Sequence, residues 1–353
     1  MKFRTEINTR RKGNLTHADR ILMLGSCFSE SIGQRMSSCK LQVDINPFGE
    51  LYNPLSIARA LLFLAQHRRM TDDSLVRTGN LWSSWLHHSR FSSVSPAEAL
   101  SRMNNRLEQT ERNTPDWLFI TLGTAWVYEW KQTGEVVANC HKMPDHLFRR
   151  RLLSVSEGVE TLSDAIRQFR EVSPNLSVVL TVSPVRHLRD GAHGNQISKS
   201  TLLLICSELC SLPFVDYFPA YELLMDDLRD YRFYADDLVH PSSEAQEYVW
   251  QKWCDAFLSD SARQIGQEAE KMLRGMSHRP LSDDLVAYGD FCHALRRRME
   301  AFQALHPDVD FRDECERLDG IVRSCQLKSE RNEPVPLRQI SSDTACHDAD
   351  TQE

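Results

Sequence analysis

Ile21-Leu22-Met23-Leu24-Gly25-Ser26-Cys27-Phe28-Ser29-Glu30 is the stretch that sets the fold. Consecutive apolar residues ending at a glycine, with no alternation, are the pattern of a strand covered on both faces. A helix is expected directly after it, over about Glu30 to Met36. The same couplet recurs along the chain. Leu41 to Ile45 reads as a strand stopped by Asn46-Pro47, and Pro54 opens a helix through Ala65. Pro96 opens another helix, to Leu107, before the clearest strand, Trp117 to Leu122. Ala125 to Asn139 reads as a hairpin around Lys131-Gln132-Thr133-Gly134. A helix capped by Ser154 or Ser156 and ending near Glu171 precedes the strand Ser177 to Val182. Then come a helix over Ser198–Leu209, a short strand at Phe214-Val215, and a helix capped by Ser242 or Ser243 that ends near Leu258. Strands alternating with helices predict an α/β fold with a mostly parallel sheet covered on both faces. Ligands of such sheets bind beyond the carboxyl ends of the strands, so the residues just after each strand are the ones to examine.

The pattern changes after residue 258. Residues 259–328 are charged, helically periodic and punctuated by Pro280 and Pro307, which predicts two or three helices in an extension. The polar stretch 329–353 is expected to be a disordered tail. The 353 residues carry 42 basic and 49 acidic side chains, a net charge of -7, which gives no electrostatic case for nucleic-acid binding. The runs Arg149-Arg150-Arg151 and Arg296-Arg297-Arg298 read as solvated helix faces. Ten scattered cysteines without a C-x-x-C pair read as free thiols in a reducing compartment. Leu24-Gly25-Ser26-Cys27 has the look of a lipoprotein cleavage box. The apolar run before it is too short for a signal peptide, and Glu6 and Asp19 precede it. No stretch is long and apolar enough to span a membrane, so a cytoplasmic protein is expected.

Two places stand out chemically. Ser26 follows the first strand and precedes a helix, where a hydroxyl meets the free N–H groups and the positive end of the helix dipole. Ser is also a leading N-cap residue, so Ser26 or Ser29 as a plain cap is the competing reading. Cys27 is a rival nucleophile, since a helix N-terminus lowers a thiol pKa, although no His–Asn pair singles it out. The second place is Asp236-Asp237-Leu238-Val239-His240-Pro241-Ser242. A serine needs a base and the base needs a carboxylate to orient it, and Asp237 three residues before His240 can supply both partners locally. The bland account is a helix-entry loop.

Taken together, these residues resemble the GSCFA family, a branch of the SGNH (GDSL-like) hydrolase superfamily. The resemblance rests on Gly25-Ser26-Cys27-Phe28-Ser29-Glu30, on Asn46-Pro47-Phe48-Gly49 with Tyr52-Asn53-Pro54, and on Thr121-Leu122-Gly123-Thr124-Ala125-Trp126. Asn139-Cys140-His141-Lys142, Ser183-Pro184-Val185-Arg186-His187 and Tyr231-Arg232-Phe233-Tyr234 follow in order, and the match covers about residues 3–257. It implies a three-layer α/β/α, flavodoxin-like fold with Ser26 as nucleophile, His240 as base and Asp237 orienting it. It also implies an oxyanion hole from the N–H groups of Ser26 and Gly49 plus an asparagine side chain. The usual Gly-x-Asn-Asp block is here Gly123-Thr124-Ala125-Trp126, so Asn139 or Thr124 is left to substitute.

The expected activity is hydrolysis of an acyl ester, by superfamily analogy an acetyl group on a carbohydrate hydroxyl, through an acyl-enzyme and without a cofactor. An O-acyltransferase or a non-catalytic binding module on the same scaffold are the alternatives. Arg186 is expected either to bind a carboxylate or to brace a loop. Trp82, Trp85, His87 and His88 form either a lid that stacks on sugar rings or a surface hairpin. No spacing among His87, His88, His141 and His187 matches a zinc site, so no metal is expected. Tyr217, Phe218, Tyr221, Tyr231, Phe233 and Tyr234 read by default as packing around the Asp237 loop. Oligomeric state is not legible.

Overall fold

The computed structural model describes residues 4–9, 12–277 and 284–331. The expected tail from residue 332 on lies outside the described residues. The chain divides into two units, Met1–Ser37 with Leu41–Arg263, and Ser38–Lys40 with Gln264–Glu353.

In the first unit the opening strand is β1 (Arg20–Gly25), followed at once by α1 (Cys27–Ser38), and then come β2 (Gln42–Ile45) and α2 (Pro54–Ala65). A small hairpin, β3 (Val76–Thr78) and β4 (Leu81–Ser83), precedes α3 (Pro96–Glu111) and β5 (Trp117–Leu122). Next are β6 (Trp126–Trp130), β7 (Val136–Val137), β8 (Phe148–Leu152), α4 (Val155–Val172) and β9 (Ser177–Val182). The unit closes through α5 (Gly191–Leu209), β10 (Val215–Tyr217), the short α6 (Ala220–Glu222) and α7 (Ser243–Phe257). Among the described residues five parallel strands form the central sheet, in the order β10-β9-β5-β1-β2. After Arg20, Trp117 and Ser177 every residue of β1, β5 and β9 is buried, as expected for apolar runs without alternation.

Both faces are covered. Leu22, Leu24, Leu118, Ile120, Leu122, Val178, Leu180 and Val182 share one core with residues of α2, α3, α4 and α5. On the other face Phe119 meets Trp253 and Phe257 of α7, with ring centroids 5.3 Å apart in each case. Gly33 of α1 lies so close to Ile45 that an added Cβ would fall 2.8 Å from its side chain. The result is the α/β/α layering expected from the sequence. The chain leaves β1 for β2 on one side and returns to β5 on the other, so the switch point lies at the carboxyl ends of β1 and β5.

Two expectations change. Arg149, Arg150 and Arg151 do not lie on a helix but on β8, whose partner is β6 in a separate antiparallel sheet. They are held there by carboxylates: Arg149 and Arg151 by Glu129, Arg150 by Asp190. Of the two readings of the tryptophan segment, the hairpin holds for Trp82, which lies on β4 paired with β3, and the lid does not hold for Trp85 and His87. Trp85 is buried against Trp130, Phe148 and His141, and His87 is enclosed between Phe48 and Phe91. Burial pushes the His87 imidazole down to about 3, so it is neutral.

The second unit is helical among its described residues. It comprises α8 (Asp260–Met276) from Gln264 onward, α9 (Leu285–Leu305) and α10 (Arg312–Arg331). Its core gathers Met272, Cys292, Leu295, Met299, Phe311 and Leu318. Arg296, Arg297 and Arg298 lie on α9. Among the described residues no helix is long and apolar enough to cross a membrane.

Candidate active site

The carboxyl end of β1 is fixed by its neighbours before any chemistry enters. Gly25 sits at φ +148 with no space for a side chain, since a Cβ there would lie 2.3 Å from the Thr121 carbonyl oxygen. Its N–H donates to Asn46 Oδ1 at 3.0 Å and its carbonyl accepts from Leu51 N–H at 2.9 Å. Asn46 is fully buried and its amide donates to Glu30 Oε2 at 3.2 Å. The turn after β2 is thereby locked against the turn after β1.

Ser26 then acts as a cap. Its Oγ accepts the Phe28 N–H at 3.3 Å and its own N–H donates to Thr121 O at 3.3 Å. Accepting from the second helical N–H is the work of an N-cap side chain, and Ser26 is only 2% exposed. Cys27 is the first residue of α1 and is half-buried. There the first N–H groups have no acceptor in their own helix and the dipole favours negative charge.

His240 comes from a turn that Asp237 builds. Asp237 Oδ1 accepts the N–H groups of Val239 and His240, each at 2.9 Å, and Oδ2 meets His240 Nδ1 at 2.5 Å. Leu238 at the tip takes φ 57, a left-handed conformation a leucine rarely adopts. Ala235 N–H donates to the His240 carbonyl at 2.8 Å, and Ser242 caps α7 by accepting from Ala245 N–H at 3.3 Å. The other ring nitrogen, Nε2, lies 3.9 Å from Cys27 Sγ. Among the described residues the His240 ring thus meets Asp237 on one side and Cys27 on the other, while the Ser26 hydroxyl is turned to its own helix.

The charges agree with this pairing. The bond to Cys27 first, and then Asp237, raise His240 to about 9, against a desolvation that works to lower it. For Asp237 burial works upward, but the N–H and ring of His240 and the N–H of Val239 outweigh it and hold the carboxyl at about 2. A histidine protonated at neutral pH, with Nδ1 on a carboxylate and Nε2 facing a sulfur, holds a proton that it can give up at Nε2.

The expected oxyanion donors are placed differently. Gly49 N–H donates to Asn46 O at 2.8 Å inside a turn at φ +84, and a Cβ there would lie 2.1 Å from His88 Cβ. The N–H groups of Gly123 and Thr124 both donate to the Tyr52 carbonyl, at 2.8 and 2.9 Å. The Thr124 hydroxyl pairs with Ser198 at 3.1 Å, and Asn139 Oδ1 accepts the His141 N–H at 2.7 Å. The N–H groups of Gly49, Gly123 and Thr124 are thus spent inside loops, and the Asn139 amide oxygen braces its own turn. The helix start at Cys27 offers what these do not, an N–H with no acceptor in its own helix. Arg186, after β9, donates through its N–H to Val239 O at 3.4 Å and through Nη2 to Met225 Sδ at 3.1 Å.

The sequence reading missed Lys199. It is 1% exposed, and its Nζ donates to Gly123 O at 2.7 Å and Ser183 O at 2.8 Å, tying the ends of β5 and β9 together. Burial lowers its ammonium to about 7, against the opposing pull of Cys27. One signal was available: Lys199 falls on the helix stripe of Asn195, Leu202 and Cys206, which is the buried one.

Comparison with known families matches residues 20–253 to the GSCFA family and residues 269–320 to the GSCFA domain protein, C-terminal domain. No curated protein matches the chain. Among solved structures, a carbohydrate esterase family 3 from Talaromyces cellulolyticus is similar over 71% of this chain and 99% of its own, with 12% identity and a TM-score of 0.32. An acetyl xylan esterase from the rumen bacterium Butyrivibrio proteoclasticus is similar over 68% of this chain and 64% of its own, with 10% identity and a TM-score of 0.34.

Proposed function

The chain belongs to the GSCFA family, and from that premise we propose that it is an acyl-ester hydrolase whose nucleophile is the Cys27 thiolate, with His240 as acid–base and Asp237 orienting the ring. The observation that carries this is the continuous link Asp237 Oδ2–His240 Nδ1 and His240 Nε2–Cys27 Sγ at the switch point of the sheet. The superfamily resemblance favours a short acyl group such as acetyl on a carbohydrate hydroxyl. A reducing, cytoplasmic setting is the one in which such a thiol stays unoxidised.

The thiolate attacks the acyl carbonyl, forming a C–S bond while the π pair moves onto oxygen at the start of α1. Collapse breaks the C–O bond, and the leaving alkoxide takes the proton from His240. Water then attacks the thioester as neutral His240 removes its proton. Collapse releases the carboxylic acid and restores the thiolate beside a protonated His240.

The test is a quenched reaction with p-nitrophenyl acetate, read by mass spectrometry of the peptide that carries both Ser26 and Cys27. The expected result is an acetyl adduct on Cys27, absent in Cys27→Ala and still formed in Ser26→Ala. An adduct on Ser26, or turnover surviving in Cys27→Ala, returns the nucleophile to Ser26. Failure of well-folded protein to react with any acyl ester overturns the enzyme reading. Adding a sugar acceptor to the same reaction separates hydrolysis from transfer.

A further inference from the structure

Arginines on this side of the first unit are mostly neutralised. Arg150 is clasped by Asp190, Arg189 by Asp145, and Arg149 and Arg151 share Glu129. Arg186 differs. Among the described residues it forms no ion pair, and its guanidinium rests on a thioether, Met225 Sδ, at 3.1 Å. The same sulfur is the acceptor for the Tyr234 hydroxyl at 3.8 Å. A thioether is a weak acceptor, so two strong donors, both half-buried, converge on a group that satisfies neither. Met225 belongs to a π-helical turn, Leu223–Asp227, an irregularity frequent at functional sites.

Both donors hang on the backbone that carries His240. Arg186 N–H bonds to the carbonyl of Val239, the residue before it. Tyr234 bridges to Pro241, the residue after it. Carboxylates of the flanking turns have other partners: Asp237 pairs with His240, Asp190 with Arg150, and Asp226 with Arg229. Lys199 lies behind the crevice, its ammonium bonded to the carbonyls of Gly123 and Ser183.

We propose that the site takes esters bearing an anionic group, a carboxylate or phosphate, which displaces the Met225 sulfur and is bound by the Arg186 guanidinium and the Tyr234 hydroxyl beside His240. This rests on the reading of Cys27 as nucleophile. A planar guanidinium with open N–H donors suits either anion.

The experiment compares the acetyl ester of γ-hydroxybutyrate, its neutral methyl ester, and the acetyl ester of glycol monophosphate. Wild type is expected to favour a charged ester in kcat/KM by about 10- to 100-fold, mostly through KM, the yield of a hydrogen bond to a charged group. Which charged ester leads tells carboxylate from phosphate. Arg186→Gln should bring the ratio of charged to neutral close to one, Arg186→Lys should restore part of it, and Tyr234→Phe should reduce it. Equal kcat/KM for charged and neutral esters in wild type, or a preference that survives Arg186→Gln, overturns the proposal. A second arm uses Cys27→Ala and calorimetric binding of the same three compounds, which needs no turnover. If wild type cleaves none of them, the hydrolase reading falls, while anion-selective binding that Arg186→Gln abolishes still supports the subsite and its absence rejects it.

Discussion

Ser26→Ala separates the two roles open to that side chain, and its cost follows from the geometry. The hydroxyl accepts one bond, from Phe28 N–H at 3.3 Å, in a place that is 2% exposed. Loss of an N-cap costs about 0.5–2 kcal/mol, and a bond of this length belongs to the lower half of that range. The freed N–H is buried with Phe28, so water does not easily replace the cap. A loss of about 1 kcal/mol in a unit of this size lowers the thermal midpoint by about 2–4 °C. The assay pairs a thermal melt followed by circular dichroism with alkylation of Cys27 by iodoacetamide. A lower midpoint with Cys27 still reactive is the expected outcome. An unchanged midpoint with esterase turnover abolished would refute the capping argument and make Ser26 the reacting group.

Four further outcomes follow from the same geometry. Asp237→Asn leaves the turn able to form but favours the wrong tautomer of His240, and single-turnover acylation should fall by about 10³–10⁴-fold. The folded pKa of His240, about 9, lies above its ordinary 6.5, so its contribution to stability is complete below about pH 6.5 and is lost as pH rises through 9. Asp237, held near 2, contributes above about pH 4 and loses that contribution as pH falls through 2. The gap in thermal midpoint between wild type and His240→Ala, measured from pH 5 to 10, should therefore shrink between 6.5 and 9. Gly25→Ala places a methyl 2.3 Å from the Thr121 carbonyl and 2.8 Å from its nitrogen, both backbone atoms that cannot yield without parting β1 from β5. It should give protein that limited proteolysis degrades rapidly. Lys199→Met strips the donor from two carbonyls at the ends of β5 and β9, each worth about 1–3 kcal/mol if left unpaired, partly offset by no longer burying an amine. Urea titration should show a lower midpoint, and an unchanged one would mean that the lysine braces nothing.

The layering of the first unit was legible because β1, β5 and β9 are unbroken apolar runs, a pattern with one physical reading when helices alternate with them. The Asp237–His240 turn was legible for a local reason, since three residues suffice to close it. The meeting of His240 with Cys27 rather than with Ser26 was not. Neighbouring residues at a helix start point different ways, and which of the two caps depends on where the first turn begins, a shift of one residue that no periodicity marks. The helix was expected from Glu30 and begins at Cys27. Gly191 and Gly194 hid the start of α5 in the same manner, because glycine lowers helix propensity without forbidding the helix. β8 was read as a solvated face because Arg149-Arg150-Arg151 shows charge and conceals the carboxylates, Glu129 and Asp190, that come from elsewhere.

The order of the strands also has a meaning in time. The thiol stands just past the end of β1, at the start of α1, the sheet neighbour β5 lies about a hundred residues later, and the imidazole that meets the thiol stands 213 residues away. A chain leaving the ribosome from its amino end therefore exposes Cys27 long before His240 exists to face it. Through most of synthesis the sulfur has a helix start and no proton partner. On the reading of Cys27 as nucleophile proposed above, a nascent or truncated chain that stops short of His240 carries the thiol without its proton partner, and ester cleavage waits for the turn before α7.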